Sequence, residues 1–297
     1  MNLGSVFATI GQFLATEDGL DTVQGLRSAL DTFAQLLNNN LPDVGALHEA
    51  VPYREVDGRT LTLDVVVPEG TGPFPVLVYL HGGAWIWGSP ATHRKLTFRL
   101  AEQGFLVMNV DYRLAPEHPF PAGFNDCIHA IHFAAREAST WGGDPARLVI
   151  AGDSAGGNLA AATAIELADA SGAPTVRAVG LMYGVFDFAG FEHDAITQLL
   201  VDAYLGGEPQ LVKDPRVSPI VQATKLPPAH IVVGSADPLW EDAERLRDAL
   251  SQAGKVHDYH VVEDMPHAFM QIEMFDEARS SIQRMTGFFH DVLGNRG

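Results

Sequence analysis

One cysteine, Cys127, occurs in the 297-residue chain, so no internal disulfide can form. That usage suits a reducing compartment, and a cytoplasmic location is expected. Basic residues are also scarce. Lys and Arg number 19 against 37 Asp and Glu, for a formal net charge of -18. A surface of that sign repels phosphate backbones and anionic lipid, so neither nucleic acid nor a membrane surface is an expected partner. Long apolar runs are missing as well, because Gly, Pro or a charge interrupts each one before it could span a bilayer. No Lys or Arg precedes Arg27, so the opening MNLGSVFATIGQFLATEDG lacks the basic region of a secretion signal. Repeats and low-complexity segments are absent from the sequence.

What the chain does have is apolar residues, 46% of the total, enough for a large core. Residues 1–45 are expected to form two amphipathic helices. In the second, Leu26, Leu30, Phe33, Leu36 and Leu37 fall at helical spacing, and Asn38-Asn39-Asn40-Leu41-Pro42 ends the pattern. Strands are expected at 61–67, 74–80, 105–110, 147–151, 178–183, 230–234 and 256–262. Helices are expected between them, at 125–137, 155–170 and 241–253. Alternation of this kind predicts an α/β fold whose mostly parallel central sheet is flanked by helices. Residues 186–225 break the rhythm. They carry Phe186, Phe188, Phe191, Leu199, Leu200 and Tyr204 but no buried strand. They are read as an inserted helical cap that joins residues 1–45 over the mouth of the sheet. The core is then 46–185 plus 226–297.

The strongest chemical signal is Gly152-Asp153-Ser154-Ala155-Gly156, between the strand RLVIAG and the helix AGGNLAAATAIELA. A sharp strand-to-helix turn presents a serine at a helix N-terminus, and the glycines two residues either side avoid backbone collisions. Serine is a weak nucleophile without a base. Among 12 histidines, His267 is preferred because it lies in a loop after the last strand. His257 and His260 fall within that strand. His129 and His132 share a helix face but lack a third ligand at metal spacing, so no metal is expected. Asp237 ends the strand HIVVGSA where open α/β sheets place functional side chains. It could equally cap the following helix, and Glu263 or Asp264 could replace it only with a different loop path. The order Ser154, Asp237, His267 favours Asp237. His81-Gly82-Gly83-Ala84-Trp85 follows a buried strand, and its glycines let backbone N–H groups approach a substrate oxygen. Gly82, Gly83 and Ala155 are the expected oxyanion donors. Trp85, Trp87, Phe186 and Phe188, with Asp153, are the candidates for substrate binding.

These segments, together with Asp111-Tyr112-Arg113-Leu114-Ala115-Pro116-Glu117-His118-Pro119-Phe120-Pro121-Ala122 and Asp237-Pro238-Leu239, resemble the bacterial hormone-sensitive-lipase family of esterases. The resemblance covers most of residues 50–297 and implies an α/β-hydrolase fold with a helical cap. It also implies hydrolysis of short- to medium-acyl carboxylic esters, no cofactor, a small-molecule ester as partner, and often a homodimer. Two positions depart from that family's pattern. Ala84 stands where a third glycine is common, and Trp240 where a basic residue is common. The HGGAW form also resembles kynurenine formamidases and some carbohydrate acetyl esterases. The alternative of another class is a receptor on the same fold that has lost its histidine, which His267 argues against.

Overall fold

A strand that is apolar along its whole length needs cover on both faces, and the central strands of this chain receive it. The computed structural model describes residues 23–190 and 195–294. Its strands are β1 (Ala46–Val56), β2 (Arg59–Val67), β3 (Phe74–Leu80), β4 (Leu106–Val110), β5 (Gly143–Asp153), β6 (Val179–Met182), β7 (Ala229–Gly234) and β8 (His257–Val262). They form one sheet in the order β1-β2-β4-β3-β5-β6-β7-β8. From β4 through β8 the pairing is parallel; β1 with β2 and β2 with β4 are antiparallel. Every residue of β4, β6 and β7 is buried.

The parallel strands are joined by helices that cover the sheet. Helices Ala122–Glu137 and Ala155–Asp169 pack against one another, as do Arg94–Ala101 and Asp276–Val292. Helix Ala155–Asp169 is nearly all buried, and its alanines let it lie close to the strands beneath it. Helix Trp240–Gln252 buries Ala243, Leu246 and Leu250, whereas Trp240 is at the surface.

The register explains where a site must form. Leu80, the last residue of β3, pairs with Gly152 at the end of β5. Asp153 pairs with Met182, and Gly234 with Val262. The carboxyl ends of β3, β5, β7 and β8 therefore finish along one edge, and the loops that follow them are neighbours.

The strands were expected within a few residues of where they lie, with one omission. β1 was not foreseen because ALHEAVPYREV shows no clean apolar alternation and contains Pro52. It lies at the edge of the sheet and its pairing with β2 slips in two places, which is where proline and weak patterning are tolerated. Residues 186–225 contain no strand among the described residues. They form a helix, Ala195–Leu205, and three short turns of tighter helix. Helix Val23–Leu37 packs against Ala195–Leu205. The first helix expected within 1–45, and Phe191, lie outside the described residues.

Candidate active site

Ser154 sits at the junction of β5 and helix Ala155–Asp169 with φ of 53° and ψ of -118°. A non-glycine residue reaches such a conformation only when its surroundings enforce it, at a typical cost of about 1–3 kcal/mol. The surroundings are tight. A Cβ at Gly152 would strike the Gly156 carbonyl, and one at Gly156 would strike the Leu80 carbonyl. The Ser154 N–H is held by the Met182 carbonyl at 2.8 Å.

The loops from β7 and β8 bring two more side chains to this serine. His267 Nε2 lies 2.9 Å from Ser154 Oγ, and His267 Nδ1 lies 2.8 Å from Asp237 Oδ2. The Asp237 carboxylate is fully buried, and its other oxygen accepts the Leu239 N–H at 2.8 Å. Asp237 therefore holds the imidazole and steadies the turn before the next helix, but it does not cap that helix, whose N-cap is Leu239. The His267 ring is one-third exposed and packs edge-on against Tyr183 at 5.1 Å. Glu263 and Asp264 take no part; the Asp264 N–H is held by Ser235 Oγ.

The oxyanion loop departs from expectation at one residue. The Gly82 N–H donates to Asp153 Oδ1 at 2.7 Å, so it is already engaged and is not a free donor. Gly83 keeps a free N–H among the described residues, and so do Ala84 and Ala155 at the start of its helix. Ala84 was not considered as a donor. It and Trp85 both have positive φ, 52° and 60°, which marks the loop as held in a chosen shape. Gly83 has φ of 115°, and a Cβ there would strike the Trp87 carbonyl.

Asp153 is also not a substrate contact. It is buried, and its oxygens accept Tyr79 Oη–H, the Gly82 N–H and the Gln271 amide. Burial alone would raise its pKa. Adjacent His93 and the hydrogen bonds from Tyr79 and Gly82 overcome that, holding it at about 2. His81, stacked on Tyr112 at 4.3 Å, is pushed down to about 3 by burial and is neutral.

The four aromatic candidates separate. Phe186 is 0% exposed and belongs to the core, so it lines no accessible space. Trp87 packs with Leu26, Ala34, Ile86 and Ala115, and its indole N–H donates to Asp31 at 2.7 Å. It is a seat for helix Val23–Leu37. Trp85 and Phe188 meet with ring centroids 5.1 Å apart. Trp85 also stacks on Tyr204 from the inserted segment at 4.4 Å. His129 and His132 are exposed, and no group of three or more metal-ligating side chains occurs among the described residues.

A hydroxyl, an imidazole and a carboxylate in series, beside free backbone donors at a strand-to-helix turn, define an acyl-transfer site. A family model described as an alpha/beta hydrolase fold matches residues 77–271. The chain belongs to the α/β-hydrolase family, in its bacterial hormone-sensitive-lipase branch. It is 31% identical over 284 residues to the carboxylesterase NlhH of Mycobacterium tuberculosis, covering 84% of this chain and 89% of that one. It is 35% identical over 226 residues to the carboxylic ester hydrolase LipN of the same organism, covering 69% of this chain and 60% of LipN. The solved structure of a hyperthermophilic esterase from the archaeon Pyrobaculum calidifontis superposes with a TM-score of 0.87. That comparison covers 99% of each chain at 27% identity.

Proposed function

We propose that this protein is a serine carboxylesterase that cleaves short- to medium-acyl esters through an acyl-enzyme. The observation that carries the reading is the relay from Ser154 Oγ to His267 Nε2 at 2.9 Å and from His267 Nδ1 to Asp237 at 2.8 Å. Ser154 attacks the ester carbonyl while His267 takes its proton. Asp237 fixes the imidazole tautomer and balances the imidazolium. Gly83, Ala84 and Ala155 receive the developing oxyanion. Each such donor is worth roughly 3 kcal/mol of barrier. His267 then returns the proton to the leaving alcohol, and the same base activates water to release the acid. No cofactor enters the scheme.

Helix Val23–Leu37 and residues 186–225 act as the cap in this reading. Trp85, Phe188 and Tyr204 pack together as a buried aromatic cluster that joins the inserted segment to the oxyanion loop. The single buried cysteine supports a cytoplasmic location. β8 ends the sheet and leaves an edge at which a second copy could pair to make a homodimer. No helix among the described residues is long and apolar enough to cross a membrane.

The test is a panel of p-nitrophenyl esters of graded acyl length, run beside N-formylkynurenine and acetylated xylan. Turnover that peaks on the short esters supports the reading. Formamide or acetyl-xylan turnover that exceeds ester turnover by a large factor replaces it with one of the two alternatives.

A further inference from the structure

Asp153 lies next to the proposed nucleophile, yet its side chain reaches away to two other loops. Oδ1 takes the Gly82 N–H at 2.7 Å together with the Tyr79 hydroxyl. Gly82 opens the loop that carries Gly83 and Ala84. Oδ2 takes the Gln271 side-chain N–H at 2.7 Å. Gln271 closes the short turn Phe269–Gln271, directly after the loop that carries His267. One buried carboxylate thus bridges the loop after β3 at Gly82 and the loop after β8 at Gln271, which are 71 and 118 residues away from it along the chain respectively. The Gln271 amide nitrogen also lies 3.0 Å from His93 Nε2.

We propose that Gln271 is a positioning residue for the reaction: through Asp153 its amide ties the histidine loop to the oxyanion loop. The tie makes the proton acceptor and the oxyanion donors reach one substrate carbonyl together. This rests on the ester-hydrolase reading above. Gln271 touches neither Ser154 nor His267 in the hydrogen-bond network, so its influence on chemistry runs through loop placement. Small displacements of reacting groups have large kinetic effects, on the order of 100-fold for about 1 Å.

The groups that face this junction are known. His93 lies 3.6 Å from Asp153 Oδ2 and stacks on His81 at 5.3 Å. Tyr79, Tyr112 and Tyr183 surround Asp153 and are un-ionised, since burial raises each far above the ordinary phenol range. Glu273, two residues beyond Gln271, is paired with Lys95 and Arg99. A carboxylate placed at residue 271 would therefore confront Asp153 directly, and would become a donor to it only on taking up a proton.

The experiment measures kcat and KM on a p-nitrophenyl ester for the full chain, Gln271→Leu and Gln271→Glu, with thermal unfolding recorded for each. Gln271→Leu keeps side-chain volume and loses the donor. Its kcat is expected to fall roughly 10- to 100-fold with KM within about twofold. Gln271→Glu is expected to be equally slow at pH 8, and its kcat relative to the parent chain at the same pH is expected to rise toward pH 5.5. A Gln271→Leu kcat within twofold of the parent, a loss confined to KM, a lowered Tm without a kcat loss, or a flat Gln271→Glu ratio each overturns the proposal. The rate of Ser154 labelling by an organophosphonate separates the two claims. If the parent chain is labelled but turns over no ester, the substrate reading fails, and slower labelling of Gln271→Leu still upholds the positioning role.

Discussion

The strand-end half of the site and the cap half are built differently. Ser154, Asp237 and His267 stand on loops whose stems are locked by sheet register, and all three loops rest on the large continuous core. Helix Val23–Leu37, the proposed cap, sits on a small separate apolar cluster around Leu26, Ala34, Ile86 and Trp87. Polar latches fasten it. Arg27 donates to the Ile86 and Ala115 carbonyls at 2.7 and 2.9 Å and grips both oxygens of Glu117 at 2.7 Å. Asp31 accepts from Trp87, and Asn38 donates to the Thr92 carbonyl at 2.6 Å. The stems of the triad loops are held by packing and register, whereas helix Val23–Leu37, the proposed cap, is fastened by hydrogen bonds that single substitutions can remove. Rate and substrate access should therefore respond to different residues.

Substitutions in the strand-end half give the largest expected effects. Ser154→Ala and His267→Ala should each lower kcat on a chromogenic short-chain ester by on the order of 10⁴-fold or more, with little change in Tm. Retained activity in either would refute the assigned roles. Asp237→Asn should come next, with a kcat loss of roughly 10³- to 10⁴-fold at neutral pH from the wrong imidazole tautomer.

Breaking the cap latch should look different. Arg27→Ala should raise KM severalfold and leave kcat on a small ester within about twofold. Charged hydrogen bonds to loop carbonyls are worth about 1.5–3 kcal/mol each at most, and the exposed Glu117 partner adds little to that. Because Arg27 hydrogen-bonds Glu117, the carboxyl is held down at about 2. A depressed carboxyl pKa gives stabilisation that is complete above its unfolded value and lost as pH falls through about 2. The latch should therefore hold unchanged from pH 5 to 9, and a Tm difference between Arg27→Ala and the parent that varies across that range would contradict it.

The smallest expected effect lies at the half-buried Asp111, just past the end of β4. Burial raises Asp111 to about 6. A raised carboxyl favours the folded state while protonated, and that advantage is lost as pH rises through about 6. Asp111→Asn should accordingly leave Tm nearly unchanged near pH 3.5 and raise it at pH 8, by up to about 2 kcal/mol of stability. Equal Tm values for the two chains at pH 8 would show that Asp111 is solvated.

The same contrast governs what could be read from the sequence. The run FPVLVYL marks β3 at both ends because strands buried on two faces are apolar throughout. The elbow is legible because its steric demands confine the glycines to fixed spacing around Ser154. His267 and Asp237 follow from chain order and from lying after strands. β1 is hidden by its polar residues and Pro52. The error at Gly82 has a specific cause. A glycine pair after a strand shows that N–H groups are available, but not that a carboxylate 71 residues further on occupies the first of them. A longer separation, 118 residues, conceals the link from Gln271 to Asp153, and the latch of helix Val23–Leu37 depends on Arg27 meeting loop carbonyls that carry no side-chain signature. Trp85 and Phe186 look like candidates for a binding wall in sequence, and only packing shows that both are buried in the core.

The central claim is tested most directly by treating the protein with a p-nitrophenyl organophosphonate and mapping the adduct by peptide mass spectrometry. A single phosphonyl group on Ser154, formed in step with the release of p-nitrophenol and abolished in His267→Ala, is the predicted result. An unlabelled Ser154 in a sample that still hydrolyses esters would contradict the account.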